Sequence, residues 1–299
     1  MVKIGDKLKE AGIQPKKSLG QNFLVNEGIY KKIVEAVSAK SSDTIVEVGP
    51  GFGILTDHLL ETGAKIIAVE KDDKLFEYLQ KKYSGNKQIE IVHEDILKFN
   101  PRNRKLEIGN WKLVGNIPYY LTSHLIQTVF ETWSRSPGDR GSSTQSGPSP
   151  ESIVFMIQKE VAKRIVASPP HSNLSVGASR QKMSLLSVAV QYFAVPKIIC
   201  YVSKGSFYPM PKVDSAIIRL TPRTADNQQR IANSETEKFF RVVKAGFSNK
   251  RKQLGNNLAA AFHLSKKEID AKLLMSGVAY ERRAEILTLK EWQKISNIF

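Results

Sequence analysis

The run Thr44-Ile45-Val46-Glu47-Val48, closed by Gly49-Pro50-Gly51-Phe52-Gly53, constrains the fold of this chain more than any other segment. Five mostly β-branched residues read as a short buried strand, and the glycines after it let the backbone turn sharply and approach a ligand closely. Leu55, Leu59 and Leu60 then fall at helical spacing up to Gly63, a helix stop. The same strand-then-helix unit recurs. Residues 65–69 read as a strand ending in Glu70, 72–83 as a helix, and 89–92 as a strand ending near Asp95. Residues 111–114 form a strand pattern before Asn116, 123–133 a helix, 153–157 a strand and 159–166 a helix; a further helix at 29–39 precedes the first strand. Such alternation predicts an α/β domain, a parallel sheet with helices on both faces.

Two later strand patterns, 195–202 and 213–220, flank the proline-stiffened loop Phe207-Tyr208-Pro209-Met210-Pro211-Lys212. From about residue 234 onward the apolar spacing is helical only, through Phe239, Phe240, Val243, Leu254 and Leu258. Pro222 and polar residues break the pattern at 221–233, which places a domain boundary there. Residues 134–152 and 168–182 are rich in Ser, Gly and Pro and read as long surface loops.

The 299 residues carry 45 Lys and Arg against 29 Asp and Glu, a net charge of +16. That surplus suits a polyanionic partner, although charge also serves solubility. Cys200 is the only cysteine, which excludes an intrachain disulfide. No apolar stretch approaches the roughly 20 residues that span a bilayer, and residues 1–7 lack the apolar run of a signal peptide, so the chain reads as soluble and cytoplasmic.

A glycine loop alone also fits a dinucleotide site or a plain tight turn. The dinucleotide fingerprint places glycines at the first, third and sixth positions. Here they stand at Gly49, Gly51 and Gly53, and the sixth position is Ile54. This spacing suits a ligand without a pyrophosphate, one with an amino-acid tail and a ribose. Glu70, 17 residues after Gly53, ends the next strand where a carboxylate meets ribose hydroxyls. Asp95 can accept from an adenine amino group with Ile96 packed on the ring, or it can cap a helix. All three positions fall at the carboxyl ends of strands, where open α/β sheets bind ligands.

Val114-Gly115-Asn116-Ile117-Pro118-Tyr119-Tyr120 follows the fourth strand. An exocyclic adenine amine is a poor nucleophile because its lone pair is delocalised. Asn116 Oδ1 and the Ile117 carbonyl can each accept one of its N–H groups and so aim the lone pair at an electrophilic methyl carbon. Pro118 would stiffen the loop and Tyr119 would stack on the base. Phe207 and Tyr208 offer an opposite wall, or simply pack in the core. By itself the tetrapeptide also suits a turn with a buried tyrosine.

These segments together resemble the KsgA/RsmA family of small-subunit (16S) ribosomal RNA adenine-N6 dimethyltransferases. The resemblance rests on Lys17-Ser18-Leu19-Gly20-Gln21-Asn22-Phe23-Leu24, the glycine loop, Asn116-Ile117-Pro118-Tyr119 and Gln158-Lys159-Glu160-Val161-Ala162. It extends to Phe207-Tyr208-Pro209-Met210-Pro211-Lys212-Val213-Asp214-Ser215, to Phe247-Ser248-Asn249-Lys250-Arg251-Lys252-Gln253-Leu254 and to Arg282-Arg283-Ala284-Glu285. It implies a class I, Rossmann-like S-adenosyl-L-methionine methyltransferase domain over 1–222 and a small all-helical RNA-binding domain over 234–299. It also implies dimethylation of two adjacent adenosines near the 3′ end of 16S rRNA, within the assembling small ribosomal subunit, by a monomer without metal. The matching cofactor positions are Asn22, Leu24, Gly49, Glu70, Asp95 and Asn116, with Gly51 and Ile96 beside them. Residues 134–152 are longer than the family pattern, and 168–182 lack its Tyr-Gly before Leu186-Ser187-Val188.

Residues 204–299 hold 18 Lys and Arg and 9 Asp and Glu, a net of +9. Lys250, Arg251 and Lys252 read as a basic run opening a helix and suited to phosphates, as do Lys16 and Lys17; a charge run is also an ordinary solvated face. Two rival functions share these motifs. One is a large-subunit (23S) rRNA adenine methyltransferase, the other an assembly factor that acts mainly by binding. A dehydrogenase fits the glycine spacing worst.

Overall fold

The computed structural model of the chain describes residues 4–16, 19–106, 111–133, 149–169, 182–223 and 233–299. The chain divides into two compact units, Met1–Ala162 with Lys197–Pro222 and Lys163–Pro196 with Arg223–Phe299.

The first unit is built on a seven-stranded sheet. Its strands are β2 (Thr44–Val48), β3 (Lys65–Glu70), β4 (Ile89–His93), β5 (Trp111–Asn116), β6 (Ser152–Gln158), β7 (Ala194–Val202) and β9 (Ser215–Pro222), in the order β4-β3-β2-β5-β6-β9-β7. The first five run parallel, and β9 lies antiparallel to β6. The parallel sheet expected from the five alternating strands is thus present, and β9 makes the whole sheet mixed. A buried apolar run such as Ala216-Ile217-Ile218 marks a strand but carries no sign of its direction.

Helices α2 (Glu27–Val37), α3 (Ile54–Leu60), α4 (Asp73–Lys82), α5 (Thr122–Gln127) and α6 (Lys159–Ile165) alternate with the strands. A π-helical turn, Thr128–Trp133, continues α5 over the rest of the helix expected at 123–133. α2 starts where the Asn26 side chain accepts from the Gly28 N–H, and it ends at Ser38 in the left-handed region. Its Ile29, Ile33 and Val37 pack with Leu55 and Leu59 of α3 and Ile45, Ile66 and Val114 of the sheet. A short N-terminal helix beyond the expected ones, α1 (Ile4–Glu10), buries Ile4 and Leu8 against Val25, Phe52 and Leu75. A two-residue strand β1 (Phe23–Leu24) pairs antiparallel with β8 (Phe207–Tyr208).

The register of β2 positions the site. Val48 lies opposite Val69 on one side and Gly115 on the other. The next residues, Gly49, Glu70 and Asn116, therefore stand abreast at one rim of the sheet.

The second unit is helical: α7 (Leu185–Phe193), α8 (Asn233–Gly246), α9 (Leu254–Phe262), α10 (Lys266–Ser276) and α11 (Leu289–Ile298). Reciprocal capping boxes start α7 at Ser184, α10 at Ser265 and α11 at Thr288. Phe239, Val243, Leu254, Leu258, Leu273 and Trp292 form its core together with Ala167, Met183, Val188 and Tyr192. The single boundary expected at 221–233 is corrected by this core. Residues 163–196 belong with the C-terminal helices because the apolar face of α7 is buried among them. Of the two expected surface loops, 134–148 and 170–181 lie outside the described residues, as do 224–232 of the expected linker.

Candidate active site

Glycines shape the base of the pocket. Gly49, Gly51 and Gly53 all take positive φ, between 61° and 69°. At Gly53 an added Cβ would also meet the Tyr83 hydroxyl at 2.4 Å, so no other residue fits that turn. From behind, Tyr83 Oη donates to the Gly53 carbonyl at 2.7 Å, and Lys82 Nζ reaches the carbonyls of Phe52 and Gly53 at 3.1 and 3.0 Å. The loop carbonyls are thus tied to the far end of α4. At Gly49 an added Cβ would meet no protein atom within 4 Å, which leaves a bare cradle on the cavity side.

Glu70 is only 6% exposed. Its Oε2 accepts from the Gly51 N–H at 3.2 Å, and its Oε1 from the N–H groups of Lys71 and Asp72 at 2.8 and 2.9 Å. Burial pushes this carboxyl above the ordinary range, and the backbone donors pull it back in part. Beneath the loop, Glu47 is fully buried and accepts from Thr56 Oγ1 at 2.6 Å. Burial pushes its pKa up to about 8.

Asp95 Oδ1 accepts from the Leu97 N–H at 3.0 Å, and Oδ2 pairs with Lys71 Nζ at 2.7 Å. Burial alone would raise its pKa, but the Lys71 ammonium and the Leu97 N–H hold it below the usual carboxylate range. Asp95 therefore serves as a turn cap and keeps an ionised face at the lip of the pocket. Ile96 is buried beside it.

On the other side, Asn116 Nδ2 donates to the backbone carbonyl of Asn22 at 2.9 Å. That bond fixes which end of the amide is which, and among the described residues no donor reaches Oδ1. The Ile117 N–H is spent on the Met156 carbonyl at 3.0 Å, which seats the turn on β6. Tyr119 Oη shares a hydrogen bond of 2.8 Å with Ser215 Oγ, and burial raises its pKa. Asn22 donates its own side-chain amide to the Gly20 carbonyl at 3.1 Å. The buried Tyr30 hydroxyl donates to the Leu24 carbonyl at 2.8 Å.

Asn22, Leu24, Gly49, Gly51, Glu70, Asp95, Ile96, Asn116, Ile117, Pro118, Tyr119 and Phe207 all line one cavity. The structure adds to three of these expectations. Phe207, expected as a stacking wall, lines the cavity and is also held among Leu24, Tyr30, Val202 and Ile217, 4% exposed, through its pairing with Leu24. Lys16, expected to meet phosphates, is 2.7 Å from Asp72 Oδ2, a buried carboxylate that needs a counter-charge. Lys250, Arg251 and Lys252 are exposed but lie in the turn before α9 rather than in its first helical turn. The Asn249 side chain accepts from the Arg251 N–H, and buried Asn257 donates to the carbonyls of Gly246 and Asn249, which fixes that turn. Lys17 lies outside the described residues. Lys71, Asp72 and Ser215 carry contacts to the site that no local sequence pattern assigns.

A mostly parallel sheet whose carboxyl rim joins a glycine loop, two acidic strand ends and an Asn-Ile-Pro-Tyr turn in one cavity defines a class I methyltransferase. Residues 12–299 match the family model for ribosomal RNA adenine dimethylase. A Dehalococcoides mccartyi protein named Ribosomal RNA small subunit methyltransferase A is 38% identical over 284 residues, 95% of this chain and 88% of that protein. The solved dimethyladenosine transferase from Plasmodium falciparum is 26% identical with a TM-score of 0.70, covering 91% of this chain and 95% of that one. The structure of the 23S rRNA methyltransferase ErmE aligns at a TM-score of 0.68 and 23% identity over 93% of this chain and 99% of that one, a likeness of fold. The chain belongs to the ribosomal RNA adenine dimethylase family.

Proposed function

We propose that this chain dimethylates N6 of two adjacent adenosines near the 3′ end of 16S rRNA in the assembling small ribosomal subunit, with S-adenosyl-L-methionine as methyl donor. The observation that carries the reading is the Asn116 amide. Its nitrogen is held by the Asn22 carbonyl, so its oxygen is the end offered to a substrate amine. The donor fits the other side. Glu70 is a buried carboxylate fixed by backbone N–H groups, with lone pairs left for ribose hydroxyls. Asp95 and Ile96 at the lip suit an amino-substituted ring, and the bare face at Gly49 suits an amino-acid tail. When bound, the donor supplies an electrophilic methyl group.

The residues of the chain then do three things. Asn116 Oδ1 and the Ile117 carbonyl accept the two amine N–H groups of a base drawn out of its stack. This localises the lone pair and aims it, a gain from orientation and fixed dipoles rather than from a strong base. Tyr119, tethered through its hydroxyl to Ser215, presents a ring to the face of that base. Exposed Lys250, Arg251 and Lys252 meet phosphates outside the pocket. Among the described residues, no helix is long and apolar enough to cross a membrane.

The small-subunit reading follows the names of the relatives, and the fold alone is shared with a large-subunit enzyme. Labelled methyl transfer to undermethylated small subunits and to large subunits, followed by nucleoside analysis, tests it. Dimethyladenosine in the small-subunit RNA is expected. Label in the large-subunit RNA alone would overturn the assignment, and label in neither would favour a binding factor.

A further inference from the structure

Asp72 stands at the junction between the end of β3 and the start of α4. Its side chain is 2% exposed. Oδ1 accepts from the N–H groups of Lys74 and Leu75 and so caps α4. Its backbone N–H donates to Glu70 Oε1. Oδ2 is left to face the segment that precedes β1, where Lys16 Nζ sits at 2.7 Å and Gln21 Nε2 at 3.5 Å. That segment is closed on itself, since the Lys16 N–H donates to Gln21 Oε1 at 2.7 Å. The next residue is Asn22, whose carbonyl takes the Asn116 amide.

A continuous path therefore runs from the Glu70 carboxylate through Asp72 and Lys16 to Asn22 and Asn116. We propose that Lys16 and Asp72 form a positioning clasp that seats the Asn22 carbonyl against Asn116, so that the acceptor side of the pocket is set by the same residue that braces the ribose carboxylate. The proposal rests on the reading of Asn116 as the acceptor of the substrate amine. A salt bridge on an exposed surface stabilises little. Here one partner is buried and the other is tied through its backbone N–H to Gln21, next to Asn22, so the pair acts through geometry. A displacement of about 1 Å at a reacting group costs on the order of a hundredfold in rate. A loosened segment that still samples the seated position should lose less, about tenfold.

The test uses the full chain with Lys16→Met, Lys16→Arg, Asp72→Asn and the double variant Lys16→Met/Asp72→Asn. Asn is a good helix cap, so Asp72→Asn keeps the Oδ1 role and removes only the charge. Methyl transfer to undermethylated small subunits is measured across subunit concentrations, and cofactor affinity by calorimetry. The clasp predicts that Lys16→Met and Asp72→Asn each lower kcat about tenfold at saturating subunits, with KM for subunits changed little. Lys16→Arg retains most of the rate. The double variant stays as low as either single one.

Three results would overturn the clasp. If Lys16 meets RNA instead, Lys16→Met raises KM and leaves kcat alone, and buried Asp72 has no such effect. If the singles lose rate only because a lone charge is left buried, the neutral double variant recovers it. If all variants match the wild type, the pair is ornamental to the chemistry. Failure of the underlying reading looks different: Asn116→Ala run beside them would then keep its activity.

Discussion

The two sides of the pocket spend their polar atoms in opposite ways. On the glycine-loop side, Glu70 holds three backbone N–H groups, Asp95 holds Leu97 and Lys71, and the loop carbonyls hold Lys82 and Tyr83. On the Asn116 side, the donors are consumed by the Asn22 and Met156 carbonyls, and among the described residues no donor reaches Asn116 Oδ1 or the Ile117 carbonyl. A ligand that must be held in one pose meets a surface already fixed by the backbone. A substrate that brings two N–H groups meets unspent oxygens. The contrast teaches that rigidity and reactivity are divided between neighbouring strand ends only one β-strand apart.

The sharpest way to break this contrast is at Asn116. Asn116→Ala removes an oriented acceptor without touching Glu70 or Asp95, and kcat for methyl transfer should fall by on the order of a hundred- to a thousandfold. Cofactor affinity should change by only a few-fold, read by calorimetry. An equal loss in both would mean that the two sides are one site.

The next effect tests how dry the glycine-loop side is. Glu47 ordinarily titrates near 4.5 but stands at about 8 in the fold, because burial disfavours its charge. Between those values the folded state keeps a proton that the unfolded state has lost. Stability should therefore fall as pH rises through that window, by on the order of 5 kcal/mol in all, and level off above it. Glu47→Gln keeps an acceptor for Thr56 and should flatten the slope in urea melts run from about pH 5 to about pH 9. A slope left unchanged would assign it to another group.

At Glu70 the expected loss is smaller. Gln can still accept from Lys71 and Asp72 through its oxygen, but its amide then faces the Gly51 N–H, donor against donor. Glu70→Gln should weaken cofactor binding about tenfold and cost roughly 1 to 3 kcal/mol of stability. kcat at saturating cofactor should stay within a few-fold, the reverse of Asn116→Ala.

Much of this was legible because strand ends are local features. Thr44–Val48 and its glycines, Glu70 and Asn116 as the residues that close strands, and Asp95 two residues past the end of another, follow from β-branched runs and their spacing. What was not legible depends on distance along the chain. β1 and β8 are two residues each, too short for any period, and they meet across the whole first unit. The run Leu185-Leu186-Ser187-Val188-Ala189-Val190, apolar but for Ser187, conceals the helical period of α7, and with it the true unit boundary. Lys16 looked like a phosphate ligand because a lysine shows its charge in sequence, whereas the buried carboxylate that claims it is 56 residues away. Phe207 likewise showed an aromatic ring but not the distant apolar neighbours that bury it.

The smallest expected effect concerns the tether of Tyr119 on the acceptor side. Tyr119 Oη and Ser215 Oγ lie 2.8 Å apart, and Ser215 is fully buried at the start of β9. Tyr119→Phe keeps the ring that would face the base and removes only the hydroxyl. The serine then loses a buried partner, at about 1 kcal/mol of stability. Methyl transfer should fall only about threefold, since stacking area is preserved and orientation is merely loosened. Ser215→Ala should reproduce both effects, and the double variant should be no worse than either single one, because one hydrogen bond is lost in every case. Tyr119→Ala should lose far more, through the ring. If Tyr119→Phe instead fell as far as Asn116→Ala, the hydroxyl would be acting on the substrate. The acceptor side would then hold a donor of its own, and its contrast with the glycine-loop side would fail.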